Sequence, residues 1–504
     1  MAELVRLDGA SLTAAHLVAV AHGAPAMLDM DARERMATSA SHVTGGAGVL
    51  RAKWTWLVGD APHGDVDVVR AFVQGHCAGV GAPLPRSVVR ATMAARVNVL
   101  ATGFTGCRPE VADLYIAMLN ADIVPVVPAQ GSVGAAGSTA LAHILRVAAR
   151  FGGEAWVGDS RRPAAEALDG LPEIELNGKE ALSLINGSTL AAAMAATAVC
   201  RARHLLQTAE AACALSFEVV RADLGCLDAA ALAARRHPGS VGVAQRLRAR
   251  LLGSELCAVG RRPDPFSVRC APVVLGTAWD ALEHVSEVVE RELNGACDNP
   301  VVVLEGMVEA GNFHGAPIAL AMDHLKVALT QVASMAERRV FRMTYGQLSG
   351  LPSFLLPGTG LNSGLMLAQY TAASLVSECK GLGHPASVDA VPTVQHHEDH
   401  VSMGPIAARG MLAISEAVAD VIAIELLCAA QGLDFHVAGQ EVGPDGELRS
   451  TTPKAPGEGT RRTHAAVRER VSRWHDDRVM YPDLEVLGRA VRQGVFTERQ
   501  PLPW

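Results

Sequence analysis

From Pro317 onward, Ile318, Met322, Leu325, Leu329 and Val332 recur at spacings of four, three, four and three. That period puts them on one face of a helix. Pro317 suits its first turn, where the missing N–H would have no partner anyway. A second stripe, Leu412, Ile414, Val418, Val421 and Ile422, lies within 405–432. Stretches this long need partner helices, so both predict the core of a buried bundle. The uncharged run 181–200 is as long as a membrane span, which takes roughly 18–20 apolar residues. It is interrupted by Asn186, Gly187, Ser188 and Thr189, and so predicts a buried segment of a soluble fold.

Before about residue 190 the pattern breaks into short helical stretches and glycine-rich turns. Asp8-Gly9 followed by Ser11-Leu12-Thr13 predicts a turn and then a helix N-cap. Segment 128–137 carries three glycines and no charge, which predicts a tight loop. Motif-rich loops at 293–315, 346–364 and 384–404 separate the long helices, where function tends to concentrate. Segment 441–461 reads as a surface connection, and the tail from Thr463 as helix packed on the bundle. The expectation is a mainly α fold: a loop-rich N-terminal region (1–190), a long-helix bundle (191–432) and a C-terminal helical region (433–504).

Composition agrees. Of 504 residues, 49% are apolar and 19% charged, and alanine is abundant, which suits close-packed helices. The net charge of −8 supplies no basic stripe, so nucleic acid is not an expected partner. Ten scattered cysteines without a CxxC pair point to reduced thiols in the cytoplasm. Glu3, Arg6 and Asp8 break the first apolar stretch, which excludes a signal peptide there, and no membrane association is expected.

Candidate chemistry is sparse. His396-His397-Glu398-Asp399-His400 is a dense polar cluster in apolar surroundings. Consecutive ligands on a short segment are geometrically poor and no HExxH spacing occurs, so no metal is expected. The cluster better suits one or two catalytic or substrate-binding groups. Arg269 could fork onto a substrate carboxylate or hold an ion pair. His76 is a core histidine or a pocket group, and Asn186 and Asn312 are turn residues or polar contacts. There is no nucleophile elbow, Walker loop or dinucleotide fingerprint.

Several segments, in order, carry a resemblance: Gly131-Ser132-Val133-Gly134-Ala135, Leu184-Ile185-Asn186-Gly187 and Asp264-Pro265-Phe266-Ser267-Val268-Arg269-Cys270. Asp298-Asn299-Pro300, Gly311-Asn312-Phe313-His314-Gly315, Leu361-Asn362-Ser363-Gly364 and Glu398 to Gly404 follow. Together they resemble the histidine/phenylalanine (aromatic amino acid) ammonia-lyase family, nearest its bacterial histidine ammonia-lyase branch. The resemblance implies a helical homotetramer with each active site shared among three subunits. It implies that Arg269 holds a carboxylate, that Asn186 adds a polar contact, and that His76, Phe313 and Glu398 line the side-chain end of the pocket.

The family also builds a methylidene-imidazolone electrophile (MIO) from an Ala-Ser-Gly tripeptide. Here the tripeptide is Ala135-Ala136-Gly137, inside a degenerate loop 131–137, and alanine has no hydroxyl to lose. No such cofactor is therefore expected. Other positions diverge too. The family's catalytic tyrosine loop is replaced around Trp54-Thr55-Trp56, a second tyrosine is Phe266, and a glutamine is Pro263. His396 and His397 replace smaller or uncharged family residues. The expectation is a MIO-independent lyase or cyclase acting on a conjugated small molecule of specialised metabolism, free or carrier-tethered. Acid–base work would fall to Glu398, His397, His396 and His76, with His63 or Asp60 as further candidates. Phe313, Phe266, Asn312, Trp54 and Trp56 would contact substrate. The alternatives are a non-catalytic ligand-binding or regulatory homologue, or an inactivated Ser-to-Ala variant of a working lyase.

Overall fold

Pro317 does stand in the first turn of a long helix, and the apolar stripe that follows it is wholly buried. This helix belongs to a bundle: α1 (Thr189–Val220), α2 (Ala271–Leu293), α3 (Ala316–Thr344), α4 (Met366–Leu382) and α5 (Gly404–Val437). The computed structural model describes residues 3–43, 65–135, 138–260, 264–304, 306–357, 361–442 and 447–497. Trp54, Trp56, Asp60, His63, Ala136 and Gly137, singled out in the sequence, lie outside them.

Helix α5 packs on α1, α3 and α4, and α2 packs on α1 and α3. Alanine makes this possible. Helix α1 is buried on nearly every face, and alanine is the commonest residue among its buried positions. The second stripe extends further than its pattern suggested. Ile414, Val418, Val421 and Ile422 are fully buried and Leu412 half-buried, but the helix runs through Gly432 to Val437. Gly432 is no stop: a Cβ there would lie 2.6 Å from Val219 Cγ1, so the glycine lets α5 approach α1.

The run 181–200 is two helices. Gly178–Ile185, with a capping box from Asn177 and Glu180, ends at Asn186, and α1 begins at Thr189. By length and composition this stretch could cross a membrane, but its most apolar window is 94% buried inside the protein.

In the N-terminal region Thr13 caps helix Ala14–Ala21, its hydroxyl accepting from His16 N at 3.1 Å. Two expectations change. Helix Arg86–Ala101 is not short, and it is buried over most of its length against α1. Segment 128–137 is not loop throughout, because Pro128–Gln130 pairs antiparallel with Val80–Pro83. After α5, strands Gln440–Val442 and Leu448–Ser450 form a hairpin. Helix Glu458–Arg468, which starts five residues before Thr463, packs on α1 and α5, and Tyr481–Arg492 packs on α5.

Candidate functional site

Three motifs far apart in sequence meet at one carbonyl. Gly134 O accepts from Ser402 Oγ at 2.6 Å and from Gly315 N at 3.2 Å. Val133 O accepts from Met403 N at 2.8 Å, and Gly404 N donates to Ser402 Oγ at 3.2 Å. Gly134 has φ +79°, and a Cβ there would stand 2.3 Å from Ser402 Oγ and 2.8 Å from Gly404 N. Only glycine fits this knot. Ala135 packs with Val401 and Met403, and Ser138 N donates to Ile185 O at 2.8 Å. The segments on either side of Ala136 and Gly137 are therefore tied to the protein.

Asn186 lies beside that tie, fully buried between the two helices of 178–220. Its Nδ2 donates to Asn299 O at 2.9 Å and to Asp298 Oδ1 at 3.3 Å, while Oδ1 has no partner among the described residues. Asp298 and Lys179 form a buried ion pair at 2.8 Å. Burial alone would push the Asp298 carboxyl up, but Lys179 and Arg96 hold it below its ordinary value. Arg96 donates to Asn186 O at 2.7 Å, so buried charge fixes the backbone of this turn.

The other candidates are partly brought together. Phe313 is half-buried and Asn312 exposed in the loop that ends at Gly315, with Asn312 Nδ2 3.4 Å from Ala296 O. Glu398 is half-buried and accepts from Thr393 Oγ1 at 2.9 Å, while His396 and His397 are exposed. Val394, Gln395 and His396 all have positive φ, so this segment is bent sharply. His76 ends helix Asp65–His76, with Nδ1 2.7 Å from Phe72 O and its ring 4.4 Å from Phe72. The turn after it reaches the knot's loop, since a Cβ on Gly131 would be 3.3 Å from Gly79 Cα. Arg269 and Phe266 stand apart on helix Phe266–Arg269, joined to the knot by no hydrogen bond or ring contact among the described residues. The Arg269 guanidinium lies 5.4 Å over the Phe266 ring, and Phe266 is 69% exposed. No carboxylate among the described residues pairs with Arg269.

Two groups escaped the sequence reading. His314 and His400 stack at 5.4 Å, with His314 Nε2 3.3 Å from His400 Nδ1. His314 Nδ1 accepts from Ala316 N at 3.3 Å, so in the neutral pair Nε2 carries the proton and donates to His400. Glu292, in the last turn of α2, accepts from Ser188 Oγ. Both histidines stood inside quoted motifs, His314 next to Gly315 and His400 two residues before Ser402. Glu292 had no signal beyond its charge at the end of an apolar helix. No group of three or more His, Cys, Asp or Glu able to hold a metal occurs among the described residues.

Comparison with known proteins agrees with this geometry. The aromatic amino acid lyase family model matches residues 60–469. The chain is 41% identical to histidine ammonia-lyase of Symbiobacterium thermophilum over 96% of both chains. It is also 41% identical to histidine ammonia-lyase of Anaeromyxobacter dehalogenans, over 98% of this chain and 99% of that one. Among solved structures, histidine ammonia-lyase from Trypanosoma cruzi superposes with a TM-score of 0.85 at 36% identity, covering 98% of this chain and 94% of that one. Tyrosine aminomutase from Streptomyces globisporus gives 0.86 at 30% identity, covering 99% of this chain and all of that one. The chain belongs to the aromatic amino acid lyase family, in its helical fold.

Proposed function

We propose that this lyase-family protein works without MIO, as a lyase or cyclase on a small molecule that carries its own electron sink. The carrying observation is Ala136. The family's tripeptide needs a serine hydroxyl to leave as water, and Ala135-Ala136-Gly137 has none. The residues present do not fit the cofactor, so no step is routed through it. Removing a weakly acidic β-proton from a simple amino acid then rests on a general base alone, worth roughly 10²–10⁴ in rate. A conjugated carbonyl lowers that demand, and elimination, conjugate addition, isomerisation or ring closure follows from positioning and proton transfer.

The site's groups support this reading. Arg269 pairs with no carboxylate among the described residues and could take a substrate carboxylate, with Phe266 beneath it. Glu398, His397, His396 and His76 are the proton-handling groups, with Asn186, Asn312, Phe313, Trp54 and Trp56 as contacts. The family resemblance supports a homotetramer whose subunits complete each other's sites. The substrate is free or carrier-tethered, in specialised metabolism. The protein is cytoplasmic, without nucleic-acid or membrane partners.

The test is the intact mass of the purified protein with a peptide map across 128–146. The encoded mass is expected, and activated conjugated substrates should then turn over where histidine and phenylalanine do not. Loss of water mapped to this loop would overturn the reading.

A further inference from the structure

Four of the five buried glutamates among the described residues pair with a cation. Glu425 takes Arg339, Glu210 takes Arg246, Glu180 takes Arg108 and Glu337 takes Arg338. Glu218 has no such cation but accepts from Ser254, Thr460 and Gly457 N. Glu292, which is half-buried, departs from this pattern. It accepts one hydrogen bond, from Ser188 Oγ, and no Lys, Arg or His among the described residues pairs with it. Burial pushes its carboxyl above the ordinary range, with the Ser188 bond pulling the other way. The charge of Glu292 acts on the buried Cys297 thiol nearby.

Its position is telling. Ser188 follows Asn186-Gly187 and packs against Gly315. A Cβ on Gly315 would lie 3.4 Å from Ser188 Cβ, 3.3 Å from Gly134 O and 3.0 Å from Ser402 Oγ. Glu292 therefore reaches the knot through one side chain. A carboxyl used only for stability would be expected to have a cation or several donors. One held by a single hydroxyl, next to a site, suits proton transfer.

We propose that Glu292, aligned by Ser188, is an acid–base carboxyl of this site for a conjugated carboxylate. As the acid, its O–H bond breaks while the substrate's new bond to hydrogen forms. The carboxylate left behind keeps the Ser188 hydroxyl as donor, and water or the substrate's next proton restores it. The inference rests on the proposed catalytic reading and supplies it with a second carboxyl besides Glu398.

The experiment is infrared difference spectroscopy on the full-length protein, with trans-cinnamate as probe. On acid titration a protonated-carboxyl band is expected in the wild type, with a midpoint above that of an ordinary glutamate. It should be lost in Glu292→Gln, be displaced in Ser188→Ala, return in Glu292→Asp, and move when cinnamate binds. Gln keeps an acceptor for Ser188, so the variant should fold. Three outcomes overturn the proposal: no band lost in Glu292→Gln, a band unmoved at saturating cinnamate, or no cinnamate binding up to its solubility. The encoded intact mass with no such band sinks Glu292 alone. A mass short of water sinks the cofactor-free reading instead.

Discussion

Arg339 and Glu425 meet inside the bundle, where Nε and Nη2 donate to the two carboxylate oxygens at 2.5 and 2.9 Å. Both side chains are fully buried. Ser216 of α1 donates to the same carboxylate at 2.7 Å, and Arg339 Nη1 donates to Ser267 O at 3.2 Å. The pair thus joins three helices and holds the backbone two residues before Arg269. Removing one partner strands a buried charge, which costs about 3–5 kcal/mol. Glu425→Leu or Arg339→Met alone should lower the free energy of unfolding in urea by that amount, and the double variant should recover most of it. Equal losses in the single and double variants would mean the pair is not the seat of the effect.

One buried histidine should weaken the fold in acid. His436 is 3% exposed, its Nε2 donating to Val219 O at 3.0 Å and its Nδ1 3.4 Å from the Arg221 guanidinium. Burial, with the charges of Arg221 and Lys454, lowers it from 6.5 to about 4, against the Val219 bond. The folded protein then binds fewer protons than the unfolded chain below pH 6.5. Stability is fully present above 6.5 and is lost as pH falls toward 4, by about 3 kcal/mol from this residue. Asp434, held below its usual range by His464 and Arg468 in spite of burial, adds a further loss at lower pH. Unfolding midpoints between pH 7 and 4.5 should fall less steeply in His436→Gln. An unchanged slope would rule His436 out as the cause.

The bundle was legible because its signal is local. Ile318 to Val332 announce a helix by spacing alone, and Pro317 marks the start. The charges inside were hidden for the opposite reason. Arg339 and Glu425 are 86 residues apart, and each by itself looks like a solvated position on a long helix. Gly432 looked like a helix end because the close approach to Val219 that requires it is tertiary. At the site, the motif segments were readable, but the pairings Ser188 with Glu292 and His314 with His400 were not. They join residues 104 and 86 positions apart.

Restoring the missing hydroxyl should not restore an ammonia-lyase. Ala136→Ser repairs one position, while Trp54-Thr55-Trp56, Pro263 and Phe266 leave the family's remaining residues absent. The expected result is no deamination of histidine or phenylalanine above wild type, followed by the absorbance of the conjugated product. This should hold even where the variant's mass shows lost water. Regained deamination would mean that Ala136 alone inactivates an otherwise competent lyase.

The knot at Gly134 should be intolerant in a graded way. Ser402→Ala leaves Gly404 N without its acceptor and Gly134 O with Gly315 N alone. An unmet buried donor costs about 1–3 kcal/mol. Gly134→Ala places a Cβ against Ser402 Oγ, Gly404 N and Pro405 Cδ at a backbone φ of +79°. Left-handed backbone for alanine costs about 1–2 kcal/mol, and overpacking adds about 1–3 kcal/mol. Gly134→Ala should therefore lower the thermal midpoint more than Ser402→Ala. The double variant should fall short of the sum, because removing Ser402 Oγ relieves the nearest clash at 2.3 Å while the contact with Gly404 N at 2.8 Å stays. Strict additivity would mean that the two residues do not share the contact, and the knot would lose its claim to bind the three motifs together.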